Sequence, residues 1–157
     1  MLDKNRMRQH HLEVTYVLGR LFTEHFIRVY KAFDGDLTAA IVLGTIGQYN
    51  YRRYYAEVGR SAPEGFHRLA ERGDHEPFAR PCNALSISQS TGIPRETVRR
   101  KIRKLVAKGW VRTAARDQLV VTRSPARHFA DFDLETLEHF VEAAREILRF
   151  VEHRSRR

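Results

Sequence analysis

Apolar residues return every three or four positions along several stretches of this chain, the spacing of one buried face of an α-helix. From Val14 to Phe33 the series is Val14, Val17, Leu18, Leu21, Phe22, Phe26, Val29, Tyr30 and Phe33, which predicts a long amphipathic helix. Asp34-Gly35-Asp36 interrupts it, and a second helix is expected from Leu37 to Tyr55, with Asp34 or Asp36 as its cap. Gly44 and Gly47 lie inside that helix; an interior glycine costs about 1 kcal/mol against alanine, so the pair is assigned to a close helix crossing. Glu57 to Pro81 loses the periodicity and collects Gly59, Pro63, Gly65, Gly73, Pro77 and Pro81; it reads as a long connection with a short helix at Phe66 to Glu71.

Asn83 to Val111 is the most informative stretch. It predicts a helix capped by Asn83 with Leu85 and Ile87 inward, a tight turn at Thr91-Gly92-Ile93-Pro94, and a second helix that stops at Lys108-Gly109-Trp110. In the second helix Val98, Ile102 and Leu105 form the buried stripe. Glu96, Arg100, Arg103, Lys104 and Ala107 fall opposite, and Arg95, Thr97 and Arg99 lie near its N-terminal end and edges. Two short β-prone runs, Trp110 to Thr113 and Leu119 to Thr122, flank a polar tip and read as a hairpin. The last helix, Asp133 to Arg154, repeats Leu134, Leu137, Val141, Ala144, Leu148 and Val151 in a heptad-like seam, with Asp133 as its cap.

Charge sharpens this picture. The 157 residues carry a formal net charge of +9 and a pI near 10.2. Between Pro94 and Arg116 there are nine Lys/Arg and one acid, Glu96, a local +8 within 23 residues. A cationic surface this concentrated suits a polyanion, because each neutralised phosphate releases condensed counterions. A major groove admits a helix of this kind by its first turns.

At these residues the chain resembles a known group. Gly92-Ile93-Pro94-Arg95-Glu96-Thr97-Val98-Arg99-Arg100, followed by Leu105 and Gly109-Trp110-Val111, is similar to the winged helix-turn-helix of bacterial transcription regulators of the MarR and GntR kinds. The resemblance spans Asn83 to Thr122 and departs at Pro94, which stands where a hydroxyl cap is usual. It implies a mainly α fold with a small β-hairpin wing, flanked by N- and C-terminal amphipathic helices. It implies double-stranded DNA as partner, with Arg95, Thr97 and Arg99 making the base and phosphate contacts of the recognition helix and Arg112 and Arg116 as the candidates on the wing; Glu96, Arg100, Arg103 and Lys104, on the face opposite the buried stripe, are candidate DNA-binding residues from their placement. It further implies a homodimer paired through the terminal helices and acting on a palindromic operator. Some regulators of the MarR kind sense oxidants through a single cysteine, which makes Cys82 a candidate redox residue.

The expected organisation is a helical region over 1–60 for dimerisation or effector binding, a connecting loop over 61–82, the DNA-binding domain over 83–124 and a dimerisation helix over 131–157. Tyr49, Tyr51, Arg52 and Tyr54 combine aromatic faces with a cation and form a candidate effector pocket for a planar anion. The eight histidines show no paired spacing of a zinc site, so no metal and no cofactor is expected. No nucleotide-binding loop, nucleophile elbow or metalloprotease motif is present, and an enzyme is not expected. With one cysteine, no run of 18 apolar residues and no signal-peptide core, the expectation is a cytoplasmic protein with no membrane partner. Two alternatives stay open: a nonspecific, replication or RNA-type nucleic-acid binder, and a protein-interaction module on the same fold.

Overall fold

A computed structural model of the chain describes residues 4–54, 56 and 82–152. The described residues are mainly helical, with one two-stranded antiparallel sheet. They divide into two compact units, one from residues 1–35 and 129–157, the other from 36–128. The division falls between Gly35 and Asp36, inside the stretch that the sequence pattern treats as one N-terminal region. The predicted connection and its short helix at Phe66 to Glu71 lie outside the described residues.

The first unit holds α1 (Lys4–Gln9), α2 (His11–Ala32) and α7 (Ala130–Val151). α2 and α7 pack side by side and antiparallel, since Arg28 meets the start of α7 and Arg20 its later turns. Val17, Ala143 and Val151 are buried there. Arg28 lies 4.6 Å over the Phe132 ring and donates to the Phe132 carbonyl at 3.0 Å and to Glu135 at 2.7 Å. Asp133 is not the cap of α7. The helix begins three residues earlier, where Phe129 stacks on Phe33 at 5.1 Å, and the Asp133 N–H already donates to the Phe129 carbonyl at 2.8 Å.

The second unit follows chain order α3 (Leu37–Tyr54), α4 (Ala84–Thr91), α5 (Arg95–Ala107), β1 (Val111–Ala114), β2 (Gln118–Val121) and α6 (Ser124–His128). Its core is Ala39, Val42, Leu43 and Ile46 of α3, Ile87 of α4, Val98 and Leu105 of α5, and Trp110, Val111, Leu119, Val120 and Val121 of the hairpin. β1 and β2 pair with Val111 opposite Val121 and Ala114 opposite Gln118. Gly44 and Gly47 make no close crossing among the described residues: a Cβ built at either meets nothing within 4 Å. Leu85 is also not inward; it is exposed, while Ile87 alone of that pair is fully buried.

The outer edge of β2 is closed by one side chain and one backbone carbonyl. Asn50, fully buried on α3, donates from Nδ2 to the Leu119 carbonyl at 3.0 Å and accepts at Oδ1 from the Val121 N–H at 2.9 Å. The Leu119 N–H donates to the Cys82 carbonyl at 2.9 Å. A sheet edge exposes unpaired backbone groups that cost free energy when buried. Here a carboxamide and one backbone carbonyl occupy the place of a third strand. The amide orientation follows from its partners, since a carbonyl can only accept and an N–H only donate.

The hairpin tip turns without glycine. Ala115–Asp117 form a single 3-10 turn in which Arg116 and Asp117 sit at φ of 59° and 56°. Left-handed backbone costs a residue with a Cβ about 1 kcal/mol, and arginine has no short polar group to offset it as aspartate does. Arg116→Gly is therefore expected to raise stability by about 0.5–1 kcal/mol in urea unfolding. A loss of stability would show that the Arg116 side chain contributes contacts outweighing the strain.

Candidate nucleic-acid interface

The local chemistry of α4 and α5 is the kind the sequence pattern implies. Asn83 accepts at Oδ1 from the N–H groups of Leu85 (3.0 Å) and Ser86 (3.1 Å), and the Ser86 hydroxyl accepts from the Asn83 N–H at 2.9 Å, a reciprocal cap. Gly92 ends α4 at φ 72°. The Ser88 hydroxyl donates to the Ile93 carbonyl at 2.7 Å and ties the turn back to α4. Pro94 precedes α5 with no side-chain cap, but its carbonyl accepts the first helical bond, from Val98 N–H at 3.0 Å. At the far end Gly109 at φ 70° turns the chain into the hairpin, and the Thr122 hydroxyl closes its base on the Gly109 carbonyl at 2.7 Å.

Burial of Val98 and Leu105 sets the rotation of α5. Arg95, Glu96, Arg99, Arg100, Arg103 and Lys104 are consequently exposed, and Thr97 is half-buried at the edge. Arg112 and Arg116 are exposed on the hairpin. Arg95, Arg99 and Arg103 recur every four residues and line one wall of an open cleft of about 400 Å³. Thr113 and Asp117 of the hairpin, with Leu85, Ile102 and Leu119, also line it. Exposed Leu85 is thus part of the cleft rather than of the core.

Two acids organise the cations. Glu96 lies 3.8 Å from Arg99 and 3.3 Å from Arg103. All three side chains are well exposed, so these pairs contribute little free energy and yield readily to a phosphate. Asp36 is different. It caps α3 by accepting from the Ala39 N–H at 3.0 Å, and its two oxygens lie 2.6 and 2.7 Å from the Lys101 ammonium, with Lys104 at 3.6 Å. Lys101 is only 12% exposed, so this cation belongs to the anchor between α3 and α5 rather than to the outer face. Sequence patterning missed that anchor, because nothing local marks Asp36 as the partner of a lysine 65 positions away.

Burial pushes the Asp36 carboxyl up, but the Lys101 hydrogen bond, the Ala39 N–H and the charges of Lys101 and Lys104 outweigh it and hold it below its usual value. A depressed carboxylate contributes stability that is complete above the unfolded pKa and is lost as pH falls through the folded one. Asp36→Asn keeps a capping oxygen and removes the charge. It is expected to cost about 1–2 kcal/mol at neutral pH, with the difference from the natural chain shrinking below about pH 4. Parallel urea titrations at neutral and acid pH check this; a pH-independent difference would assign the loss to packing.

Cys82 is buried, and its thiol donates to the Leu119 carbonyl at 3.6 Å. Burial pushes the thiol up to about 11, which keeps it protonated and slow towards oxidants. Tyr49 and Tyr51 are half-buried on either side of Asn50, burial raises the Tyr51 hydroxyl, and Arg52 is exposed. The side chain of Tyr54, Tyr55 and residues 57–81, on which an effector pocket would draw, lie outside the described residues. Among the described residues no group of three or more His, Cys, Asp or Glu side chains is placed to hold a metal, and no helix is long and apolar enough to cross a membrane. Compared with known proteins, the chain matches no family model, no curated protein and no solved structure.

Proposed function

We propose that this protein is a sequence-specific DNA-binding regulator of transcription, acting as a dimer on an inverted repeat through a winged helix-turn-helix made of α4, α5 and the β1–β2 hairpin. The observation that carries this reading is the coincidence of charge and rotation on α5. The same helix that buries Val98 and Leu105 holds Arg95, Arg99, Arg100 and Arg103 outward, beside a hairpin carrying Arg112 and Arg116. A planar guanidinium can grip guanine O6 and N7 together in the major groove, and the remaining cations hold phosphates. In this reading Arg95, Thr97, Arg99 and Arg100 read or position bases and phosphates, and Arg103, Lys104, Arg112 and Arg116 hold the backbone. Glu96 accepts from a base amino group or keeps Arg99 and Arg103 aligned until DNA replaces it.

Selection of bound duplexes from a random pool, followed by salt titration on the winner, tests this. Enrichment of an inverted repeat with half-sites one helical turn apart supports the dimeric regulator. Strong salt-dependent binding to every duplex, with no enriched motif, would replace it with a nonspecific nucleic-acid binder.

A further inference from the structure

The cleft beside α5 carries groups that a DNA backbone has no use for. Arg95, Arg99 and Arg103 line it at steps of four residues, about 6 Å apart along the helix axis. Among the described residues Arg95 has no ion pair or hydrogen bond, and Arg99 and Arg103 share only the exposed Glu96. Guanidinium groups in line and weakly engaged match a chain of phosphates, which their planar donor forks grip. So far a phosphodiester backbone would serve. The rest of the lining is of another kind. Leu85, 44% exposed, borders the cleft with Ile102 and Leu119 and gives it an apolar flank. Asp117 of the hairpin borders it too, and among the described residues its carboxylate has neither ion pair nor hydrogen bond.

An ionised carboxylate only accepts hydrogen bonds. Against a phosphate it repels, at a cost that grows as water is excluded. It becomes useful when the ligand brings N–H donors together with its negative charge. The apolar flank asks in addition for a body that gains from leaving water. A free nucleotide meets all three demands. Its phosphates carry the charge, its ring has an apolar face, and the edge of the ring carries the donors.

We infer that this cleft of about 400 Å³ binds a free guanine nucleoside di- or triphosphate, a volume ordinary for a small-molecule site. Arg95, Arg99 and Arg103 hold the phosphates, the ring lies against Leu85 and Ile102, and Asp117 accepts from the edge of the base. Guanine fits that carboxylate because its N1–H and N2 amino group are adjacent donors, one for each oxygen. Adenine offers its N6 amino group alone. The same arginines face DNA in the function proposed above, so a bound nucleotide excludes DNA from α5. Nucleotide binding stands by itself; only this exclusion rests on the DNA-binding reading.

Calorimetry on the full-length protein, without DNA or divalent cations, compares GTP, ATP and inorganic tripolyphosphate. GTP is expected to saturate one site per chain and to bind about tenfold more tightly than either of the others, since hydrogen bonds to a charged group discriminate at least that well. Asp117→Asn separates recognition from charge by the sign of its effect. Removing a negative charge tightens every polyanion if charge alone attracts it. If the carboxylate reads the base, the variant weakens GTP about tenfold while tripolyphosphate binds as well or better. Asparagine tolerates the φ of 56° at this position, so the hairpin should keep its turn, which urea unfolding checks. Leu85→Ala, at an exposed position, should weaken GTP severalfold and leave tripolyphosphate unchanged. No binding of GTP, an affinity for GTP no better than for ATP or tripolyphosphate, or tighter GTP binding by Asp117→Asn would each overturn the nucleotide site. GTP titrated into the protein bound to a duplex should release the DNA as the calorimetric site fills; a ternary complex would overturn the exclusion. Binding of DNA without GTP, or of GTP without DNA, removes one reading and leaves the other.

Discussion

Replacing Asn50 by leucine is expected to destabilise the protein by about 2–5 kcal/mol, although the two side chains are close in size. The loss is not one of packing. Asn50 Nδ2 and Oδ1 satisfy the Leu119 carbonyl and the Val121 N–H on the outer edge of β2, and both residues are buried. Leucine leaves a buried acceptor and a buried donor without partners, at about 1–3 kcal/mol each. Equilibrium urea unfolding should show a lower midpoint with little change in slope. Amide exchange should locate the effect, with the Val121 N–H losing most of its protection while the middle of α5 loses only the global share. A cost below about 1 kcal/mol would mean that water replaces the carboxamide, and that the hairpin is held chiefly by its pairing to β1.

Converting Arg95, Arg99 and Arg103 together to alanine is expected to weaken DNA binding on the order of 100- to 1000-fold at physiological salt. The three side chains occupy one edge of α5 and one wall of its cleft. If each neutralises a phosphate or an equivalent charge, the log–log salt slope should fall by about 2–3. The single change Arg99→Ala separates base reading from backbone holding. A base contact predicts a loss of about 1–3 kcal/mol with relaxed preference at one position, and a phosphate contact predicts uniform weakening on every sequence. Folding should survive, since alanine favours helix and the arginines are exposed; the exposed Glu96 simply loses two weak partners. An unchanged salt slope in the triple variant would remove α5 from the DNA interface.

Much of the candidate interface was legible because it is built from local signals. A cap needs only the side chain of Asn83 and the amides two and three residues ahead. The left-handed ends of α4 and α5 need a glycine at one position each, and Gly92 and Gly109 supply them. The rotation of α5 follows from Val98 and Leu105 on one face and charge on the other. Errors came where a local sign had two readings. Asp133 looks like a cap, but packing of Phe129 against Phe33 starts the helix earlier. Leu85 looks like core, yet Ile87 alone fills that place and Leu85 faces the cleft. Gly44 and Gly47 suggest a crossing that nothing among the described residues makes.

By itself the sequence determined the long helices, both ends of α4, the hairpin and the site of the positive charge, since each depends on residues within a turn or two of one another; the start of α7 and the short α1 and α6 were not legible in it. Only the tertiary structure decided what anchors the charged helix and its hairpin. Asn50 meets β2 across 69 to 71 positions, and Asp36 meets Lys101 across 65. It also decided that the charged side of α2 turns towards its own chain and the apolar side outward. Periodicity shows that a helix has two faces, but it carries no sign of which face the same chain covers; hydrogen-bond satisfaction and ion pairing between distant segments make that choice.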